Sequence, residues 1–193
     1  MEKFVLNELK KSKSLSVQKD IEEAESLALN GFYASAFLRQ WQVVEAVSRE
    51  LIIITRSYGD AQTAWGRILK IFKKQKIDPA KNNLKLQIEN VLFSSAKQRT
   101  ELSFRYIDVG QLEKAFDSLS LSYDRTSVRY LMASRLEKES RPSEVNDSAT
   151  IREKRNHIIH RNQSLTKDQY DQYLRFFQHF FDIVQHQILG GDK

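Results

Sequence analysis

Between residues 151 and 164 the chain reads IREKRNHIIHRNQS, a stretch rich in side chains that can do chemistry at a phosphate. It holds two of the four histidines in the 193-residue chain, together with Arg152, Arg155 and Arg161. Near neutral pH an imidazole can accept a proton as a base and, once charged, donate one as an acid. A guanidinium offers a planar fork of donors that fits phosphate oxygens and stabilises charge growing on a phosphorane. These groups suit RNA cleavage. A histidine takes the proton from a ribose 2′-OH, the leaving 5′-oxygen is protonated, and an arginine holds the phosphate. With the 2′-OH as nucleophile the reaction needs no metal, and neither a metal nor a cofactor is expected.

Two Arg-x4-His registers overlap here, Arg152/His157 and Arg155/His160. Chance supplies roughly 0.3 such pairs in a chain with this many arginines and histidines, so spacing alone does not choose between them. If 149–161 is a helix, Asn156 and His160 share a face, with Arg152 one turn earlier on it. Ile151 and Ile158 form an anchoring apolar stripe, with Ile159 beside it. Arg155 and His160, five apart, lie about 140° apart around an ideal helix. They meet on one phosphate if the arginine swings round, if the helix bends, or if two copies face each other across a dimer axis.

Each residue also has an ordinary reading. Arg155 can cap carbonyls or pair with a carboxylate, Asn156 can be a solvated surface residue, and His157 an exposed neighbour. Glu45, one turn past Trp41 on an otherwise apolar stripe, is either an exposed helix edge or the partner of an arginine. Glu153, His157 and His160 have metal-compatible spacing, but no further ligand lies near them in sequence. The run KIFKKQK at 70–76 reads first as a solvated helix end.

The elements that must position this stretch are helices. Only two prolines and six glycines punctuate the chain, which leaves little for a β-rich fold. Apolar spacing predicts a helix from Val17 to the stop at Asn30-Gly31. A longer, central helix with two apolar faces follows from Phe32 to about Arg56. Tyr58-Gly59-Asp60 is expected to break it, with Asp60 capping a third helix that carries Ala64, Trp65, Ile68, Leu69 and Phe72. Residues 81–139 read as two helices broken around Val109-Gly110, and 140–148 as a polar loop. Thr150 or Ser148 can cap the motif helix. The final helix carries Tyr170, Tyr173, Leu174, Phe177, Phe180, Phe181, Val184 and Ile188 on one broad face, which helical spacing explains as core or dimer surface.

Hydrophobic residues at 40% and charged residues at 29% describe a soluble globular chain, of a length suited to one domain. The absence of cysteine excludes disulfides and thiolate sites and fits a cytoplasmic protein. No apolar run longer than Leu51–Ile54 points to a leader or a membrane span. The formal net charge of +6 favours a polyanionic partner such as RNA.

The string 155-RNHIIH-160 resembles the R-x4–6-H motif of HEPN domains, in which a polar residue often follows the arginine. The layout is similar too: an all-α antiparallel helical bundle with a long hairpin near the N-terminus and the motif at the start of the last helical pair. The resemblance implies a single HEPN-like domain over 1–193, with 78–139 as a helical elaboration. It assigns Arg155, Asn156 and His160 to catalysis. The surrounding basic cluster, and not the resemblance, offers Arg152, His157 and Arg161 as RNA contacts, and Glu45 is a candidate to stand behind the site. Active members are metal-independent endoribonucleases that pair two motifs in a dimer cleft. The implied role is a toxin or anti-phage effector acting on single-stranded or loop RNA, as a homodimer, controlled by an antitoxin or a partner defence enzyme. Degenerate members imply the alternative, a non-catalytic module that binds a protein or nucleotide. Members adenylylated by a partner enzyme carry a tyrosine two residues past the histidine, where this chain has Asn162. A helical scaffold of tetratricopeptide type, suggested by GFYASA at 31–36, lacks self-similarity at the required period.

Overall fold

A computed structural model describes residues 2–12, 17–80, 83–136, 141–143 and 149–190. Among these residues 77% are helical and none lies in a strand, so the fold is all-α. The helices are α1 (Glu2–Lys10), α2 (Gln18–Leu29), α3 (Tyr33–Lys74), α4 (Leu84–Ser103), α5 (Val109–Ser118), α6 (Arg125–Met132), α7 (Ile151–Arg161) and α8 (Lys167–Asp182). A π-helical turn over Ile183–Ile188 closes the last of them. No helix of the described residues is long and apolar enough to cross a membrane. Ser148 and most of the 140–148 stretch lie outside the described residues.

The chain divides into two compact units, one of residues 1–50 with 107–193 and the other of residues 51–106. The division falls inside α3, and α5 and α6 fall in the same unit as α7.

In the first unit, α8 supplies the core. Tyr170, Tyr173, Phe176, Phe177, Phe180 and Phe181 are all buried, and Val184 and Ile188 continue the stripe; Leu174 is only half-buried. Phe37 of α3 meets Tyr173 and Phe177 edge-on at 5.6 and 5.3 Å between ring centroids. Tyr130 of α6 lies 4.8 Å from Phe176. Such tilted aromatic pairs add roughly 0.5–1.5 kcal/mol each beyond the area they bury. Asn30-Gly31 stops α2 as expected, with Gly31 at a left-handed φ of 81°, where a side chain would be strained.

Two boundary expectations are corrected. Tyr58-Gly59-Asp60 does not break the helix, because α3 runs on to Lys74. Gly59 keeps a helical backbone, and Ala61 and Trp65 are buried beyond it. Burial of those side chains outweighs the cost of about 1 kcal/mol for a mid-helix glycine. Residues 84–132 hold three helices, and Val109-Gly110 opens α5 instead of interrupting a helix. The deciding signals are N-caps. Asp108 accepts from the Gln111 amide, and Asp124 from the amides of Thr126 and Ser127.

In the second unit, the remainder of α3 and α4 contribute buried Leu51, Ile52, Ile53, Ile54, Trp65, Phe93 and Ala96. Trp65 and Phe72, seven apart and so on one helix face, pack edge-on at 6.1 Å.

Candidate functional site

The motif helix α7 is started by sequence-local chemistry. Thr150 is its N-cap, and its hydroxyl accepts from the Glu153 amide while the Glu153 carboxylate accepts from the Thr150 amide, a complete capping box. The Thr150 hydroxyl also donates to the Ala133 carbonyl at 2.8 Å, tying the cap to the end of α6. Ile151 and Ile158 are buried, as their spacing predicts, and hold the helix against the first unit. Lys154 is buried with them. Asn162 ends the helix at φ 50°, a left-handed residue that asparagine tolerates.

Arg155, Asn156 and Glu45 come together. The Arg155 Nη1 donates to the Asn156 side-chain carbonyl at 3.0 Å, and Nη2 lies 4.0 Å from the Glu45 carboxylate. Glu45 is therefore both an exposed helix edge and an arginine's partner. Its side chain is 48% exposed and that of Arg155 30%, so the pair is wet and contributes at most about 1 kcal/mol. The Arg155 Nε is buried with no hydrogen-bond partner among the described residues. Two of the three guanidinium nitrogens thus have side-chain partners and the third is enclosed, so an incoming oxyanion has to displace Asn156 or Glu45 to reach the fork.

His160 is exposed, and among the described residues it has no hydrogen bond or ion pair. Among the described residues Arg155 and His160 form no hydrogen bond with each other, in keeping with their angular separation on an ideal helix. Asn156, Ile159 and Arg161 are exposed as well, and His157 is half-buried. Ile159 adds a large aliphatic side chain, 44% exposed, next to the histidine.

Arg152 is placed differently. Its Nη1 donates to the Ile107 carbonyl at 3.0 Å and the Met132 carbonyl at 3.2 Å. Through this one nitrogen it joins α7 to the end of α6 and to the entry of α5. The Arg152/His157 register thus has an arginine bonded to backbone carbonyls, whereas the Arg155/His160 register has one whose partners are the side chains of Asn156 and Glu45. Glu153 is likewise committed, to the capping box. Among the described residues no group of three histidine, aspartate or glutamate side chains could hold a metal ion.

Other polar groups gather where sequence reading placed none. Glu113 of α5 takes a two-pronged contact from Arg129 at 2.7 and 3.2 Å, and Asp117 takes Arg125 at 3.1 Å. Asp124 donates its backbone amide to His179 Nε2 at 3.1 Å. Burial pushes the Asp124 carboxyl up, but hydrogen bonds from the Ser127 hydroxyl and the Ser127 and Thr126 amides outweigh it and leave the pKa below the ordinary value. A cavity of about 470 Å³ beside this cap is lined by Asp124, Ser127, Arg141, Arg175 and Phe176 among others. Another, about 460 Å³, lies along Ala28, Tyr33, Tyr170 and Leu174. Neither is lined by a motif residue. None of the polar groups around Asp124 was singled out in the sequence, where the one signal that could have found them is the N-cap pattern at Asp124.

No family model matches this chain, and no curated protein or solved structure matches it.

Proposed function

We propose that the chain is a HEPN-type endoribonuclease, with Arg155, Asn156 and His160 as its half-site. The single observation that carries this reading is the contrast along α7: His160 is exposed and has no hydrogen bond or ion pair among the described residues, and Arg155 is held by side chains alone, while Arg152 and Glu153 are bonded to backbone. One imidazole and one guanidinium make half of a cleavage site, because in-line cleavage takes a base on the 2′-OH and an acid on the 5′-oxygen. A second copy related by a two-fold axis supplies the other half. Exposed Ile159 beside His160 gives such an interface an apolar contact.

In the reaction the 2′-oxygen attacks phosphorus as its proton passes to a neutral imidazole. The P–O5′ bond breaks, and the leaving oxygen takes a proton from an imidazolium. The products are a 2′,3′-cyclic phosphate and a 5′-hydroxyl. Arg155 holds the non-bridging oxygens, and Asn156 orients the guanidinium. RNA is the substrate, and the role implied by the motif is that of a toxin or anti-phage effector under a partner's control. The competing reading, a non-catalytic module, is favoured by the Arg155–Glu45 contact, which leaves the guanidinium beside a carboxylate. Incubation with single-stranded RNA in EDTA separates the two. Cyclic-phosphate ends support the nuclease, and intact RNA across protein concentrations and candidate activating partners supports the module.

A further inference from the structure

The charge of the chain is not spread evenly. Residues 51–106, the second unit, hold eleven of the 31 lysines and arginines and four of the 25 acids, a balance of +7. The remaining 20 basic and 21 acidic residues leave the unit that carries the motif at −1, which together reproduce the total of +6. The nuclease reading therefore puts a negatively charged substrate on a unit with no net attraction for it, while the attraction resides in the other unit.

Within that unit the cations are ordered. Arg56, Arg67, Lys70 and Lys74 are all exposed on α3, at separations of eleven, three and four. On a helix these positions fall on one line, opposite buried Ala61, Trp65 and half-buried Phe72. The line spans about 27 Å at 1.5 Å per residue. None of the four has an ion pair among the described residues, and the only acid interleaved with them is Asp60. Gly59, Thr63 and Gly66 stand on or next to the line, and a Cβ added at either glycine would meet nothing. The stripe is thus open and low beside its charges.

We propose that single-stranded RNA lies along this α3 stripe, with Arg56, Arg67, Lys70 and Lys74 neutralising successive phosphates. The choice of RNA rests on the nuclease reading, whereas the choice of a linear polyanion rests on the charge distribution itself. A stripe of cations on a polar helix face is the electrostatic footprint of a nucleic-acid backbone. An anionic bilayer is the weaker fit, because it needs a continuous apolar face, and here only Ile71 flanks the stripe. These contacts carry no sequence information, so the stripe sets affinity and salt dependence.

The test uses the full chain in a His160→Ala background, so that the RNA survives, and follows anisotropy of a labelled oligouridylate at several salt concentrations. Changing Arg56, Arg67, Lys70 and Lys74 together to Gln should weaken binding at least tenfold and flatten the log–log salt slope by roughly 3, at about 0.7 per lost phosphate contact. A control that changes exposed Lys3, Lys10, Lys19 and Lys114 of the first unit to Gln removes the same charge and should cost far less. Equal losses in both variants, or no loss in the stripe variant, would overturn the proposal. So would stripe-dependent flotation with phosphatidylserine vesicles alongside unchanged RNA affinity, which would assign the stripe to a membrane. Should the fourfold variant fail to fold by circular dichroism, the Arg56→Gln/Arg67→Gln and Lys70→Gln/Lys74→Gln pairs each carry half of the expected change. RNA held by the stripe but never cut by the wild-type chain would sink the nuclease reading and leave this one standing. RNA cut normally by a stripe variant of unchanged affinity would do the reverse.

Discussion

His160 and Arg155 carry opposite risks at the level of single residues, and mutating them tests opposite things. His160 is exposed and makes no hydrogen bond or ion pair among the described residues, so His160→Ala should leave folding intact while lowering RNA cleavage by about 10²–10⁴-fold, the usual contribution of a general acid–base. Arg155→Ala should be nearly as severe, and Arg155→Lys should not rescue it, since an ammonium lacks the planar fork. His157→Ala should retain most activity. Arg152→Ala should act on stability instead, because two backbone carbonyls lose a charged donor, at a cost of about 1–3 kcal/mol in denaturant unfolding. If His157→Ala is inactive and His160→Ala active, the wrong register has been assigned. If all four alanine variants cleave normally, the site is not on α7. The motif was legible as a string, and so was the burial of Ile151 and Ile158. The division of labour between Arg152 and Arg155 was not, because it depends on the carbonyls of Ile107 and Met132, 45 and 20 residues away.

At the scale of elements, helices were legible wherever an apolar period ran uninterrupted between strong stops, as in α2 between Val17 and Gly31 and in α7 after Thr150. Boundaries failed where a local breaker met a buried stripe, as at Gly59, and where a single aspartate cap marked a start, as at Asp124. The Gly59 result has a stability consequence. Its backbone is helical, and a Cβ there would meet nothing within 4 Å. Gly59→Ala should therefore raise stability by about 0.5–1 kcal/mol through helix propensity; a lower melting temperature would mean that the backbone is bent there in solution. The Asp124 cap gives a prediction in pH. Its folded pKa lies below the ordinary 3.8, so its stabilisation is present above that value and is lost as pH falls through the lower, folded one. Asp124→Ala should cost about 1 kcal/mol at neutral pH, and unfolding curves of variant and wild type should converge well below pH 3.8. A gap that persisted in acid would mean that the carboxylate does not make the cap.

The whole molecule poses the question of whether one copy is enough. A single α7 presents one imidazole and one guanidinium about 140° apart around an ideal helix, and Ile159 next to His160 is exposed. Cleavage needs a base and an acid on opposite sides of the phosphorus, so the chain should be a symmetric dimer in solution and each active site should contain both copies' His160. This makes a catalytically dead copy poisonous. In a mixture of wild type and His160→Ala, subunits pair at random, and every mixed dimer lacks one of its two proton-transfer groups. Activity per wild-type subunit should then fall with the wild-type fraction, to roughly one tenth at a ninefold excess of the variant, provided the dimers exchange. A site complete within one chain predicts no change, because the variant only dilutes the enzyme. Light scattering fixes the starting state for that experiment. A stable monomer at micromolar concentration with cleavage intact, or activity per wild-type subunit unmoved by excess variant, would rule out the paired site.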